Sequence, residues 1–132
     1  MRKRILIVDD SAYVRKSLRA LFETQKDFEI CGEAADGKDG VGKAEKLNPD
    51  LIILDLSMPV MNGLDAARAL KATRPAIPIV LYSLYTDEAV RAEAVAAGIR
   101  MVVSKADMDD LVDIAIGIFK EDERSRSSSQ GS

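Results

Sequence analysis

Five short apolar runs, each followed by a stretch of helical periodicity, set the strongest limit on how this 132-residue chain can fold. The runs are Ile5-Leu-Ile-Val8, Phe28 to Glu33, Leu51-Ile-Ile-Leu54, Ile79-Val-Leu-Tyr82 and Met101-Val-Val103. They are too short for helices and read as strands. Between them, Val14, Leu18, Leu21 and Phe22 share one helical face, as do Val41, Ala44 and Leu47, then Leu64, Ala67 and Leu70. A fourth helix runs from Thr86-Asp87 to about Ala97, with Gly98 suited to its C′ position, and a fifth carries Leu111, Ile114, Ala115 and Ile118. Ser11 and Asp107 read as N-caps. Strands alternating with helices over such short connections imply a parallel sheet covered on both faces, because crossovers are right-handed. Phe28, Ile30 and Gly32 alternate with Glu29, Cys31 and Glu33, the pattern of a less buried edge strand.

Composition removes many chemistries. The chain has no histidine and one cysteine, so Ser-His-Asp sites, His-ligated zinc and phosphohistidine on this chain are excluded, and any metal must be a hard ion held by oxygen. Cys31 alone cannot form an internal disulfide, which points to a reducing compartment. A net charge of −3, from 19 basic and 22 acidic residues, offers no basic stripe for nucleic acid. The apolar run after Met1-Arg-Lys-Arg stops after four residues, and no stretch approaches the roughly 20 apolar residues of a membrane span. The expectation is a cytoplasmic protein with one domain over 1–120. The polar stretch 121–132 reads as a disordered tail or linker stub.

In open α/β sheets, sites form beyond the carboxyl ends of the strands. Those ends carry Asp9-Asp10, Asp55, Ser83 and Lys105. Each alone has an ordinary explanation, as a cap, a turn former or a solvated charge. Together they place three carboxylates, a hydroxyl and an ammonium on one rim. Close carboxylates repel by about 4 kcal/mol per pair at an effective dielectric near 20, so such a group calls for a cation or a retained proton. Lys105 supplies one charge, and magnesium, which takes oxygen ligands and bridges carboxylates to phosphates, suits the remainder. The chemistry that fits is phosphoryl transfer with a carboxylate nucleophile, and Asp55 is the candidate.

These residues resemble the receiver domain of two-component response regulators, the CheY-like family. The resemblance covers about Arg4 to Phe119 and rests on Ile5-Leu-Ile-Val-Asp-Asp10, Leu54-Asp55-Leu-Ser-Met-Pro59, Met61-Asn-Gly63, Ser83 and Val103-Ser-Lys105. Gly32-Glu-Ala-Ala-Asp-Gly37 and Asn48-Pro-Asp-Leu-Ile-Ile53 are similar to receivers that precede helix-turn-helix output domains. The resemblance implies a doubly wound (βα)5 flavodoxin-like fold with a five-stranded parallel sheet in the order 2-1-3-4-5. It implies that Asp55 accepts a phosphoryl group from a histidine kinase, a histidine phosphotransferase or a small phosphodonor. Magnesium, or manganese in its place, would be held by Asp10, Asp55 and the Ser57 carbonyl, with Asp9 acting through water. Ser83 and Lys105 would contact phosphoryl oxygens. The implied output is a changed affinity for an effector, an output domain controlling transcription, or a second copy of the chain, with no direct contact to nucleic acid or membrane. A non-phosphorylated pseudo-receiver and an aspartyl-nucleophile phosphatase are the alternatives.

Two positions depart from the family pattern. Val102 stands where receivers carry an aromatic residue that moves with the hydroxyl, leaving Tyr82 or Tyr85 to replace it. Ala106 stands in place of the proline that often follows the lysine.

Overall fold

The computed structural model describes residues 2–130. Strands β1 (Lys3–Val8), β2 (Phe28–Ala34), β3 (Leu51–Leu54), β4 (Ile79–Ser83) and β5 (Met101–Ser104) form one parallel sheet in the order β2-β1-β3-β4-β5. Helices α1 (Ala12–Glu23), α2 (Gly37–Leu47), α3 (Gly63–Thr73), α4 (Glu88–Ala96) and α5 (Leu111–Gln130) alternate with the strands. This is the flavodoxin-like architecture and strand order that the resemblance implied.

The three central strands alternate faces with period two, which divides the core into two layers. Ile5, Ile7, Leu51, Ile53, Val80 and Tyr82 pack against Leu18 and Phe22 of α1 and Leu111, Ala115 and Ile118 of α5. Leu6, Val8, Ile52, Leu54, Ile79 and Leu81 pack against α2, α3 and α4. Because both faces are covered, the strands read as continuous apolar runs.

The edge strand departs from simple alternation. Ile5 pairs with Ile30 but Leu6 pairs with Gly32, so Cys31 is an extra residue in the ladder. Ile30 therefore belongs to the α1–α5 layer, while Gly32 lies against Leu47 and Leu6 in the other layer, not on the face expected from counting by twos.

The caps follow the local chemistry. Ser11, Asp36, Asn62 and Asp87 accept amide hydrogens at the starts of α1 to α4. Gly98 has φ +83 after α4, a conformation glycine adopts without steric cost. Asp107 does not cap α5. Lys105–Asp110 forms a 3₁₀ segment instead, started by the Ser104 hydroxyl, and Asp107 sits inside it at φ −112, ψ 37. The segment from Glu121, expected to be disordered, continues α5 to Gln130. Arg100 Nη2 anchors its first turn through Glu121 (2.9 Å) and Asp122 (3.0 Å), and extending a helix already nucleated by buried residues costs little. The expected tail's last two residues lie outside the described residues.

Candidate functional site

Asp9 is the first residue past β1 and is 1% exposed; Asp55 is the first past β3 and is 5% exposed. Backbone pairing extends the ladder one step beyond the strands: Asp9 N donates to Ala34 O, and Asp55 N donates to Val8 O at 2.8 Å. These bonds fix both carboxylates above the sheet. Gly63 is required next to them, since a Cβ there would overlap the Asp55 carbonyl oxygen and crowd Leu56 Cα.

Carboxylate oxygens of Asp9, Asp10 and Asp55 lie within 4.8 Å of one another. Lys105 Nζ reaches Asp9 Oδ2 at 2.9 Å and Asp55 Oδ1 at 3.2 Å. Ser83, 1% exposed, and Ser57 line the same opening, a cavity of about 570 Å³. The fold thus gathers Asp9, Asp10, Asp55, Ser57, Ser83 and Lys105, all singled out from the sequence, at one rim.

The electrostatics are unbalanced. Burial raises the Asp55 carboxyl from 3.8 to about 6, with the Asp9 charge adding to the rise and Lys105 opposing it. Burial pulls the Lys105 ammonium down, but its contact with Asp9 and the charges of Asp9 and Asp55 outweigh that and hold it above its usual value. One ammonium faces three carboxylates. Asp9 Oδ1 accepts from Ser11 N at 2.9 Å, and the buried Asp9 Oδ2 has Lys105 Nζ at 2.9 Å, the same ammonium that Asp55 shares. An all-oxygen donor set of three clustered carboxylates, with more negative charge than one ammonium neutralises, fits a hard divalent cation.

Tyr13, Leu84 and Met108 frame the site without having been singled out from the sequence, whereas Tyr82 and Tyr85 are the aromatics expected to replace the one absent at Val102. Tyr13 and Leu84 are exposed apolar side chains on its rim, and Met108 closes another side. Tyr82 lies on the α1–α5 side, donates to Lys105 O at 3.3 Å, and places its ring 5.9 Å from Lys105 Nζ. Tyr85 is exposed, and its amide donates to Ser83 Oγ at 2.9 Å. Apolar rim residues carry no signature in one sequence, because only the fold shows that they surround the carboxylates.

Residues 5–116 match the family model described as the response regulator receiver domain. The chain belongs to that family. Chemotaxis protein CheY of Thermotoga maritima is 37% identical over 105 residues, covering 80% of this chain and 87% of that protein. Protein-glutamate methylesterase/protein-glutamine glutaminase 1 of Methanosarcina mazei is 45% identical over 85 residues, which are 64% of this chain. The match occupies 24% of that relative, so the chain spans about a quarter of the methylesterases it resembles. A LuxR-family two-component response regulator from Aurantimonas sp. SI85-9A1 superposes with TM-score 0.86 at 28% identity, covering 92% of this chain and 87% of that one. The protein is a phosphorylation-dependent signalling module of the two-component type, and neither alternative reading is favoured. Among the described residues, no helix is long and apolar enough to cross a membrane.

Proposed function

We propose that Asp55 is the phosphoacceptor of this receiver and that capture depends on magnesium held by Asp10, Asp55 and the Ser57 carbonyl, with Asp9 acting through water. One observation carries the reading. Asp55 is a buried strand-end carboxylate, 3.2 Å from Lys105 and grouped with two further carboxylates whose charge exceeds what Lys105 neutralises.

An Asp55 oxygen attacks phosphorus in a phosphohistidine or a small acyl phosphate, and the bond to the donor breaks with its electron pair leaving on the donor. Lys105 moves from Asp55 to a phosphoryl oxygen and keeps Asp9, a short transfer given its distances to both. Ser83 donates its hydroxyl proton to another phosphoryl oxygen while its lone pairs still hold the Tyr85 amide. Magnesium, when bound, supplies charge neutralisation between the carboxylates and the incoming phosphoryl oxygens. Manganese, with the same preference for oxygen, substitutes.

The phosphoryl group carries about −2 where the ionised carboxylate carried −1, and that charge draws Ser83 and Lys105 inward and, through the Tyr85 amide, pulls the segment between β4 and α4. The output is altered binding rather than turnover by this chain. The donor is a histidine kinase or histidine phosphotransferase in the cytoplasm. The recipient is an effector, a second copy, or an output domain, and the LuxR-family likeness favours transcription control. The receiver unit is 1–120.

Intact-mass measurement after acetyl phosphate and magnesium tests this directly. One added phosphoryl group is expected on wild type and none on Asp55→Asn. An unlabelled wild type, or equal labelling of the variant, overturns the assignment.

A further inference from the structure

Asp9 has both backbone polar groups tied to β2. Its N–H reaches Ala34 O directly. Its carbonyl accepts from Arg15 Nη1 at 2.8 Å, and Arg15 Nε donates in turn to Glu33 Oε1 at 3.1 Å. Glu33 lies on β2 opposite Ile7 of β1, so it is fixed by the sheet. It is held further by Arg19, whose Nε and Nη2 approach Glu33 Oε2 at 2.8 and 2.7 Å, and by Lys43, which donates to the Glu33 carbonyl. Two arginines one helical turn apart on α1 therefore grip the same carboxylate, but of the two it is Arg15 that touches the loop bearing the acidic pair. Arg15 is mostly buried, with its side chain 20% exposed, and its guanidinium is planar, so one edge cannot turn without releasing the other contact.

We propose that Arg15 is a positioning residue for the acidic site, acting through the Asp9 carbonyl with Glu33 as its anchor. The carbonyl belongs to the peptide that joins Asp9 to Asp10. Fixing its direction fixes the plane from which the Asp10 side chain leaves, and hence where the Asp10 carboxylate meets those of Asp9 and Asp55. Asp9 is 1% exposed, so water is a poor substitute donor for its carbonyl. The sequence spacing supports the division of labour. Arg15 falls four residues after Ser11, whose carbonyl accepts the Arg15 amide, so its side chain starts beside the loop. Arg19 falls one turn further away and reaches only carboxylates, those of Glu33 and Glu23.

The inference rests on the proposed metal-dependent reading of the site, and calorimetric titration with magnesium separates the two. Arg15→Met keeps the aliphatic stem and removes the donors. It is expected to weaken magnesium binding roughly tenfold, the scale typical of lost support behind a ligand. Glu33→Gln, which loosens the anchor, is expected to weaken it by about threefold, and Arg15→Lys to recover only part of the affinity, because one ammonium lacks the fork that holds both groups. Arg19→Ala loses the same carboxylate contact without touching Asp9 and is expected to stay within about twofold of wild type, although it loses comparable thermal stability. Wild type that binds magnesium while Arg15→Met and Glu33→Gln both remain within twofold of it overturns the positioning role alone. Equal losses in Arg15→Met and Arg19→Ala overturn it too, because helix docking then explains both. Wild type that binds no magnesium overturns the reading of the site itself. Should Arg15→Met fail to fold, Glu33→Gln against Arg19→Ala decides the question.

Discussion

Replacing Asp55 with asparagine should stabilise the metal-free protein at neutral pH. The Asp55 carboxyl moves from 3.8 in the unfolded chain to about 6 in the folded one, burial being the main cause and Asp9 the next. At 1.36 kcal/mol per pH unit, holding the ionised form in the fold costs about 3 kcal/mol. The folded state binds the proton more tightly, so stability from this group is fully present below pH 3.8 and is lost as pH rises through about 6. Asparagine has nearly the same shape and carries no charge. It still offers Lys105 an oxygen, though a weaker partner, which trims the gain. For a chain of this length 3 kcal/mol corresponds to roughly 10 °C in Tm, and a rise of about 5 °C is the working expectation. Scanning calorimetry in a chelator from about pH 4 to 8 tests it, since the gap between variant and wild type should open across the interval from 3.8 to about 6. A variant no more stable at neutral pH, or a gap as large at pH 4 as at pH 8, would refute the reasoning.

Other expectations concern the same rim. Magnesium at millimolar concentration should raise the wild-type Tm by mass action, and Asp10→Asn should remove most of that rise, read by thermal shift. Calorimetric magnesium affinity should weaken as pH falls below about 6, because a proton on Asp55 competes with the ion. Val60→Gly should stabilise the protein by about 0.5–1 kcal/mol in urea unfolding. Val60 sits at φ +69 while 77% exposed, so the change relieves backbone strain and loses little packing. Gly63→Ala should destabilise by about 3 kcal/mol and impair phosphoryl capture, because the new Cβ must displace the Asp55 carbonyl or the helix start. A stable, fully active Gly63→Ala would show that this contact is not rigid.

The sequence exposed the fold because nearly every core residue obeys one of two periods. Ile52 and Leu54 face one layer while Leu51 and Ile53 face the other, so a four-residue run was enough to mark a doubly covered strand. Most of the site was legible for a topological reason: a parallel sheet puts every strand's carboxyl end on the same side, so Asp9, Asp55, Ser83 and Lys105 needed no contact information to be grouped. Features set by fit between elements were not legible. The extra residue at Cys31 depends on how β2 meets β1, and nothing in Ile30-Cys-Gly32 marks it. The 3₁₀ segment that displaces Asp107 from a cap starts from Ser104, whose hydroxyl competes for the same turn. The helical continuation past Glu121 depends on Arg100, twenty-one residues away in sequence.

The same distinction separates capture from readout. Capture needs side chains at strand ends, which the chain order dictates. Readout needs a side chain that has two places to be. Val102 is packed against the α2–α4 layer and is too small to exchange a buried position for an exposed one with much effect. Tyr82 cannot take that part on the α4 side, because its ring is buried in the opposite layer and its hydroxyl is committed to the Lys105 carbonyl. Tyr85 has the required freedom, being 56% exposed with only its amide tethered, and the tether is Ser83 Oγ. A phosphoryl group that draws Ser83 inward therefore acts on Tyr85 through the backbone and not by vacating a hole for a ring. On that mechanism Tyr85→Ala leaves the coupling in place, since the amide remains. Ser83→Ala breaks it, and amide exchange at residues 84–87 then becomes insensitive to phosphorylation. If Tyr85→Ala abolished the response while Ser83→Ala preserved it, the signal would have to travel through the ring.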